Sequence, residues 1–268
     1  MNINEFMKLL GKLAYRHSSY ADCYSDFLDW SIGCFLVDGD KPCAERLQAK
    51  YKDDYKYFKL LFAELINIYN TKICPVIPTE DPNDMYKNNE SSWCDPLGNV
   101  YMEISSKFKA SGLGQFFTPE HMCTFMAALM ISNDSGPSKL IGEPCSGSGR
   151  MILAANSWCL GNYYSAVDLD PMCTKMTALN MCIHGVKGQV NCGNSLYIGQ
   201  DWRFGYEVNY HLDWSGIPTL LPLEREQSLE IKMFTSMISE RIEEKVNKPN
   251  IIIPTVNNIP NYVERSLF

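Results

Sequence analysis

Apolar residues in the first seventy positions recur three and four apart, which is the spacing of amphipathic helices. This spacing predicts a helix that starts near Ile3 and a second helix over residues 20–35. A longer helix is predicted over residues 44–69, and we interpret its apolar stripe as core. An interface helix in a coiled-coil or heteromeric contact is the alternative, since tyrosines tolerate partial exposure. The stripe consists of Ala44, Leu47, Tyr51, Tyr55, Phe58, Phe62, Leu65 and Tyr69.

The helical pattern stops after this helix. Residues 73–96 hold four prolines among Asn, Asp and Ser, which is typical of a linker or a long surface loop. Helical spacing resumes at Leu97. The break predicts a helical N-terminal region at residues 1–94, with the proline-rich linker at its end, and a second domain at residues 95–268.

Short apolar runs alternate with helical patterns in this second region. Runs at 140–142, 164–167 and 189–192 are predicted as strands, and residues 172–184 as a helix between two of them. Strands that alternate with helices favour a parallel sheet with helices packed on it. The alternation therefore indicates a doubly wound α/β domain.

Three later segments extend the pattern. Residues 206–213 are a polar candidate for the next strand, and residues 251–253 are a candidate for a fifth. Between them, residues 223–246 are predicted as one amphipathic helix. Its inward side chains would be Ile231, Phe234, Met237, Ile238 and Ile242.

Length and composition are those of a globular protein. A chain of 268 residues can bury a sizeable core, as one large domain or as a domain with a substantial appendage. Its apolar runs are all shorter than the roughly eighteen residues that a membrane span needs, and its start lacks the basic and apolar regions of a signal peptide. We therefore expect a cytoplasmic protein that makes no membrane contact.

Cysteine usage and charge narrow the possible functions. Eleven cysteines without a Cys-x-x-Cys pair favour reduced buried thiols over a disulfide framework or a zinc site, so no metal is expected. The net charge of −7 is unlike that of a protein that binds DNA unaided, which usually shows a basic face. DNA affinity is therefore local, or is supplied by a partner that carries the basic surface.

The glycine loop, residues 146–149, is the first piece of candidate chemistry. It lies between a strand and a helix start, and its small side chains let the backbone press closely against a ligand. Glu143 makes the mouth of the loop acidic, which disfavours a phosphate and suits a zwitterionic or hydroxyl-bearing cofactor. The alternative is that the loop is only a tight strand-to-helix connection and binds no ligand. Cys145 in the loop is interpreted as a small packing residue and not as a nucleophile.

A carboxylate at the end of the following strand is the second piece. Asp168 and Asp170 come about twenty residues after the loop, where α/β nucleotide-binding folds place an acid against ribose hydroxyls. Either carboxylate is a candidate for this contact.

Five segments together resemble one protein family. Gly-Gln-Phe-Phe-Thr-Pro at residues 114–119, Glu-Pro-Cys-Ser-Gly-Ser-Gly at 143–149 and the later carboxylate resemble motifs of the adenine-N6 DNA methyltransferases (N-6 DNA methylases) of the type I restriction-modification kind. Residues 95–103 are similar to the family's Asp-x-Leu-Gly-x-x-Tyr-Glu helix, and residues 189–196 to its Gly-Asn-Ser-Leu segment. Glu143 stands where relatives have aspartate.

The resemblance implies a Rossmann-like S-adenosylmethionine-dependent methyltransferase domain that is preceded by a helical N-terminal region. Phe117 and Thr118 would then lie beside the methionine part of the cofactor, and Asn194 would meet its adenine ring. The full set of expected cofactor residues is Phe117, Thr118, Glu143, Pro144, Cys145, Ser146, Gly147, Ser148, Gly149, Asp168, Leu169, Asp170, Asn194 and Ser195.

The family's Asn/Asp-Pro-Pro-Tyr/Phe tetrapeptide, which orients the target amino group and stacks on the flipped base, is absent from this chain. Asp213 and Trp214, after the predicted strand 206–213, are the candidate replacements for its acid and its aromatic ring. Residues 257–262, after the apolar run 251–253, are a second and weaker candidate.

Three functions follow as hypotheses. The first is a DNA adenine-N6 methylation subunit of a restriction-modification system, which works with DNA through a partner such as a specificity subunit. The second is a catalytically inactive, cofactor-binding regulatory or scaffolding relative. The third is a small-molecule methyltransferase. The N-terminal helices are a possible contact for a protein partner.

Overall fold

The structure of the protein, a computed structural model, describes residues 3–73, 93–108, 116–131, 137–198 and 201–246. Its first range is helical. Ser19 begins the second helix by accepting a hydrogen bond from the backbone N–H of Asp22, and Asp40 begins the third by accepting one from that of Cys43. The four helices are α1 (Asn4–His17), α2 (Tyr20–Phe35), α3 (Lys41–Tyr51) and α4 (Lys56–Lys72).

The prediction of a single helix over residues 44–69 is wrong, because two helices, α3 and α4, cover this range. Lys52 takes a backbone φ of 48°, and a 3-10 turn at Lys52–Tyr55 separates the two helices. The left-handed conformation of Lys52 interrupts the helical hydrogen bonding. The apolar stripe is nevertheless core, since most of its members are buried: Leu47, Tyr51, Phe58, Leu65 and Tyr69.

The second region contains strands and helices in alternation. Its helices are α5 (Pro96–Phe108), α6 (Glu120–Met130), α7 (Arg150–Trp158), α8 (Pro171–Ile183), α9 (Leu212–Ser215) and α10 (Leu229–Val246). Its strands are β1 (Leu140–Glu143), β2 (Tyr163–Asp168), β3 (Lys187–Cys192), β4 (Phe204–Val208) and β5 (Leu220–Leu223). The predicted α/β class is thus confirmed as a mixed α/β fold with a five-stranded sheet.

The strands lie in the order β1-β2-β3-β4-β5, so that neighbours in sequence are neighbours in the sheet. β1, β2 and β3 are parallel, whereas β4 and β5 are antiparallel to their neighbours. The register pairs Glu143 with Ala166 and Asp168 with Cys192. The carboxyl ends of the three parallel strands therefore meet at one edge of the sheet, where α/β folds bind ligands.

Two predicted elements have other bounds in the structure. The strand expected over residues 206–213 ends at Val208, because the buried Asn209 turns the chain with a φ of 57°. The helix expected over residues 223–246 begins only at Leu229. Two of its predicted inward side chains, Phe234 and Met237, are 38% and 51% exposed. The side chains of Ile238 and Ile242, and the segments 251–253 and 257–262, lie outside the described residues.

A single hydrophobic cluster joins the N-terminal helices to the sheet. The Tyr24 hydroxyl donates to the carbonyl of Leu97 (2.8 Å), and the Tyr69 hydroxyl donates to the side chain of Asn180 on α8. The N-terminal helices and the sheet therefore share one buried cluster, and the division at residue 94 stays a prediction. Among the helices that the structure describes, none has the length and apolarity to cross a bilayer.

Candidate cofactor site

A cleft of about 580 Å³ opens at the carboxyl ends of β1, β2 and β3. Its walls come from residues 116–118, 123, 144–148, 150–151, 168–169 and 193–196. Eleven of the fourteen expected cofactor residues line it: Phe117, Thr118, Pro144, Cys145, Ser146, Gly147, Ser148, Asp168, Leu169, Asn194 and Ser195. Segments that are far apart in sequence are thereby brought to one place. Residues 114 and 115 lie outside the described residues.

The glycine loop has a conformation that requires glycine. Gly147 and Gly149 have φ values of 56° and 89°, in the left-handed region. A Cβ atom on Gly147 would lie 3.0 Å from the ring of Phe117. The backbone N–H of Ser146 donates to the carbonyl of Val167 (2.9 Å), which ties the loop to the end of β2. Phe117 therefore packs directly on a bare backbone.

Asp168 is the last residue of β2, and its carboxylate binds the backbone of the glycine loop. One carboxylate oxygen accepts from the backbone N–H of Gly147 (2.7 Å) and the other from that of Asp170 (2.8 Å). Burial raises the pKa of Asp168 despite these bonds. Each carboxylate oxygen has a second lone pair, so the side chain retains the capacity to accept hydrogen bonds from a ligand in the cleft.

Glu143 lies beside the cleft and lines an adjoining cavity of about 680 Å³ between β1, α6 and α7. Its carboxylate accepts from the backbone N–H of Cys145 (3.2 Å). Burial raises the pKa of Glu143, and the charge of Asp168 adds to this shift. Two carboxylates at the mouth favour a ligand that carries positive charge.

Asp170 and Gly149 do not line the cleft. The Asp170 carboxylate accepts from the backbone N–H of Met172 (2.8 Å) and so caps α8. Gly149 precedes α7, and a Cβ atom there would lie 3.3 Å from Thr177. The structure places both residues where they stabilise the ends of helices, outside the walls of the cleft.

The far wall is a polar turn after β3. The Asn194 side chain accepts from the backbone N–H of Leu196 (2.9 Å), and the backbone N–H of Asn194 donates to Asp201 (2.8 Å). Leu169 and Leu196 flank this turn and are 57% and 86% exposed. The wall thus combines the hydrogen-bonded side chain of Asn194 with two exposed apolar side chains.

Asp213 and Trp214 are not brought to the cleft. β4 runs antiparallel to β3 and pairs Val208 with Gly188, so the chain that follows β4 lies at the start of β3. Asp213 there accepts from Lys187, the first residue of β3 (2.6 Å). The carboxyl end of β3, where the cleft lies, is at the opposite edge of the sheet. The predicted catalytic pair therefore has no contact with the expected cofactor residues.

The sequence analysis missed a buried arginine. Arg150, 4% exposed, donates from Nε to Asp95 (2.6 Å), and its terminal nitrogens donate to the carbonyl of Thr118 (3.0 Å) and the side chain of Asn99 (2.9 Å). Its guanidinium carbon lies 5.6 Å from the ring centre of Phe117. The only signal in the sequence was a charged residue at the first position of α7, next to the loop.

Asp95 is the fully buried partner of this arginine. It also accepts from the Ser148 hydroxyl (2.5 Å), the backbone N–H of Gly98 (2.7 Å) and the Asn180 amide (2.8 Å). Four donors thus surround one carboxylate, which satisfies it away from water. Among the described residues, no cluster of three or more His, Cys, Asp or Glu side chains is arranged to hold a metal ion.

A comparison with known protein families agrees with the motifs. The sequence model of the N-6 DNA Methylase family matches residues 93–204. A solved structure, the methyltransferase subunit of a type I restriction-modification system from Streptococcus thermophilus, is 18% identical, with a TM-score of 0.30. The match covers 68% of this chain and 37% of that one. No curated protein is significantly similar to the chain. The segment that contains the glycine loop, Asp168 and most of the cleft thus matches the sequence model of the N-6 DNA methylase family.

Proposed function

We propose that this chain binds S-adenosylmethionine in the cleft and serves as a DNA adenine-N6 methylation subunit of a restriction-modification system. The observation that carries the proposal is the convergence of three separate sequence motifs, at residues 116–118, 144–148 and 168–169, on one cleft. Such convergence is not needed for a tight turn whose only purpose is to connect a strand to a helix.

The chemistry of the cleft fits the cofactor. The bare backbone at Gly147 allows close approach, and the acidic mouth suits a molecule with a sulfonium and an ammonium group. Asp168 would accept from the ribose hydroxyls, and Asn194 would contact the adenine ring between Leu169 and Leu196. The bound cofactor would supply a methyl group to a nucleophile.

A second function, cofactor binding without catalysis, is favoured by the missing acceptor site. The full sequence lacks the tetrapeptide, and Asp213 and Trp214 lie at the other edge of the sheet. A regulatory or scaffolding subunit needs only the cofactor cleft. The small-molecule alternative predicts an enclosed apolar pocket, and the exposure of Phe116 and Leu196, each 86%, counts against it.

The partner of the proposed subunit would supply what the chain lacks. With a net charge of −7, the chain has no excess of basic residues with which to bind the phosphate backbone. We infer that a specificity subunit provides the basic surface, and that the complex acts on DNA in the cytoplasm.

Calorimetric titration with S-adenosylmethionine and its demethylated product tests the first part. We expect one site with a Kd on the order of micromolar, as is ordinary for cofactors. Absence of heat with both ligands would refute the proposal. Transfer of a labelled methyl group to unmethylated DNA, with and without a co-expressed specificity subunit, then separates the two functions. Binding with no transfer under either condition supports the inactive relative.

A further inference from the structure

One side chain, Arg150, connects two walls of the cleft and also lines the cleft itself. One wall is the segment 116–118 and the other is the glycine loop, and they are separated in sequence by more than twenty residues. Phe117 contacts the loop at Gly147. Arg150, which begins α7 directly after the loop, donates to the carbonyl of Thr118 (3.0 Å).

The guanidinium group is suited to this task because it is planar and presents donors in several fixed directions. One edge is held by Asp95, which in turn accepts from Ser148 of the loop. The other nitrogens reach Asn99 on α5 and the carbonyl of Thr118. A lysine ammonium in its place would keep the charge but could not span these partners in one plane.

The N-terminal helices support the same group. Tyr69 on α4 donates to Asn180, and the Asn180 amide donates to both Asp95 (2.8 Å) and the carbonyl of Ser148 (2.7 Å). Tyr69, through Asn180, therefore helps to fix the position of Asp95 and, through it, that of Arg150.

We propose that Arg150 is a positioning residue for cofactor binding: anchored by Asp95, it sets the segment 116–118 against the glycine loop before the ligand arrives. The identity of the ligand rests on the function proposed above, whereas the ordering of the wall is a property of the free protein. A wall held in place in advance reduces the ordering that binding requires, and so increases affinity.

The test compares Arg150→Met and Arg150→Lys with a matched control, Arg46→Met. Arg46 donates to two carboxylates, Asp26 (2.9 Å) and Asp29 (3.0 Å), and lies on α3, in the N-terminal region. Arg46 is half exposed, and its loss removes an arginine–carboxylate ion pair without touching the cleft. The measurements are the Kd for S-adenosylmethionine by calorimetry, the Tm, and amide hydrogen exchange of residues 116–118 in the ligand-free protein.

We expect Arg150→Met to raise the Kd at least about tenfold and Arg150→Lys by an intermediate factor, whereas Arg46→Met changes it less than about twofold. Exchange at residues 116–118 should accelerate in both Arg150 variants and stay unchanged in Arg46→Met. A wild-type Kd in Arg150→Met, with a Tm reduced as in the control, would show a merely structural role and overturn the inference.

The same set of variants remains informative if one variant does not fold or if the wild-type protein binds no cofactor. If Arg150→Met does not fold, Arg150→Lys decides the matter, and a wild-type Kd and exchange rate in that variant would overturn the inference. If the wild-type protein binds no cofactor, the proposed function fails, while exchange at residues 116–118 in the variants still decides whether Arg150 orders the wall.

Discussion

The parallel and antiparallel halves of the sheet differ in where their strands end. In the parallel half, β1, β2 and β3 all end at the cleft, so that their following residues meet there. In the antiparallel half, β4 ends at the start of β3, and the turn after it carries Asp213 to the opposite edge. Strand direction, rather than strand order, therefore decides which residues reach the site.

The largest expected effect on cofactor affinity comes from a substitution of Gly147, beside the parallel strands, which we compare with the same substitution of Gly216, beside the antiparallel strands. Gly147 and Gly216 both have left-handed φ values, 56° and 66°, but only a Cβ on Gly147 would meet a neighbour. Gly147→Ala should weaken S-adenosylmethionine binding by about a hundredfold or more, while Gly216→Ala should cost only about 1 kcal/mol of stability. Calorimetry and denaturant unfolding measure the two effects. Equal Kd values in both variants would contradict the placement of the ligand on the loop.

A carboxylate in each half gives the second comparison. Asp168→Asn removes the charge that faces the cleft, and we expect the Kd to rise by about thirtyfold, equivalent to about 2 kcal/mol. Asp213→Asn breaks only the exposed pair with Lys187 and should leave the Kd unchanged. The same titrations check both variants. A loss of binding in Asp213→Asn would show that Asp213 contributes to the cofactor site, which would contradict its placement at the opposite edge of the sheet.

The third expected effect is smaller and concerns how the free energy of unfolding depends on pH. His184, which ends α8, has a pKa lowered from 6.5 to about 4 by burial. Its Nδ1 contacts the carbonyl of Asn180 (2.7 Å), and its Nε2 faces the backbone N–H of Cys94 (3.3 Å), an arrangement that suits the neutral ring. Because the unfolded chain takes up this proton first, stability should fall as the pH drops from about 6.5 towards 4.

Between pH 7 and pH 5 we expect the free energy of unfolding to decrease by about 1 to 2 kcal/mol through this group. His184→Gln should reduce the slope of stability against pH in that interval. Urea unfolding at several pH values provides the measurement, and an unchanged slope in the variant would refute the assignment.

The smallest expected effect is on stability and concerns hydrogen bonds that the N-terminal helices donate to the second region. Tyr69→Phe removes the hydroxyl that donates to Asn180 and should cost about 1 kcal/mol of stability. Tyr24→Phe, which removes the bond to the carbonyl of Leu97, is the control at the same interface. If Asn180 transmits order to Asp95, only Tyr69→Phe should also speed amide exchange at residues 116–118.

Much of the cleft could be predicted because its motifs are local. Small residues at 146–149 predict a tight loop, and an acid at the end of a short apolar run predicts a carboxylate beside it, in any α/β fold. The errors have physical reasons. No local pattern distinguishes an antiparallel β4 from a parallel one, so Asp213 was assigned to the wrong edge. The break at Lys52 depends on a backbone conformation that an uninterrupted apolar stripe does not reveal.

Arg150 and Asp95 were missed for a different reason. A charged residue at a helix start indicates solvent exposure unless its partner is known. The partner lies fifty-five positions earlier, and the pair is buried only because the fold brings the residue before α5 to the start of α7. Long-range electrostatic pairs of this kind need the fold before they can be recognised.

The shared hydrophobic cluster described above has a consequence for cooperativity. Because Phe6, Phe27 and Leu65 belong to the same buried assembly as Tyr164 and Val190, the helical layer and the sheet should melt in one calorimetric transition. Removal of residues 1–94 would strip the outer surface of α8 and so yield an aggregating fragment instead of an autonomous catalytic module.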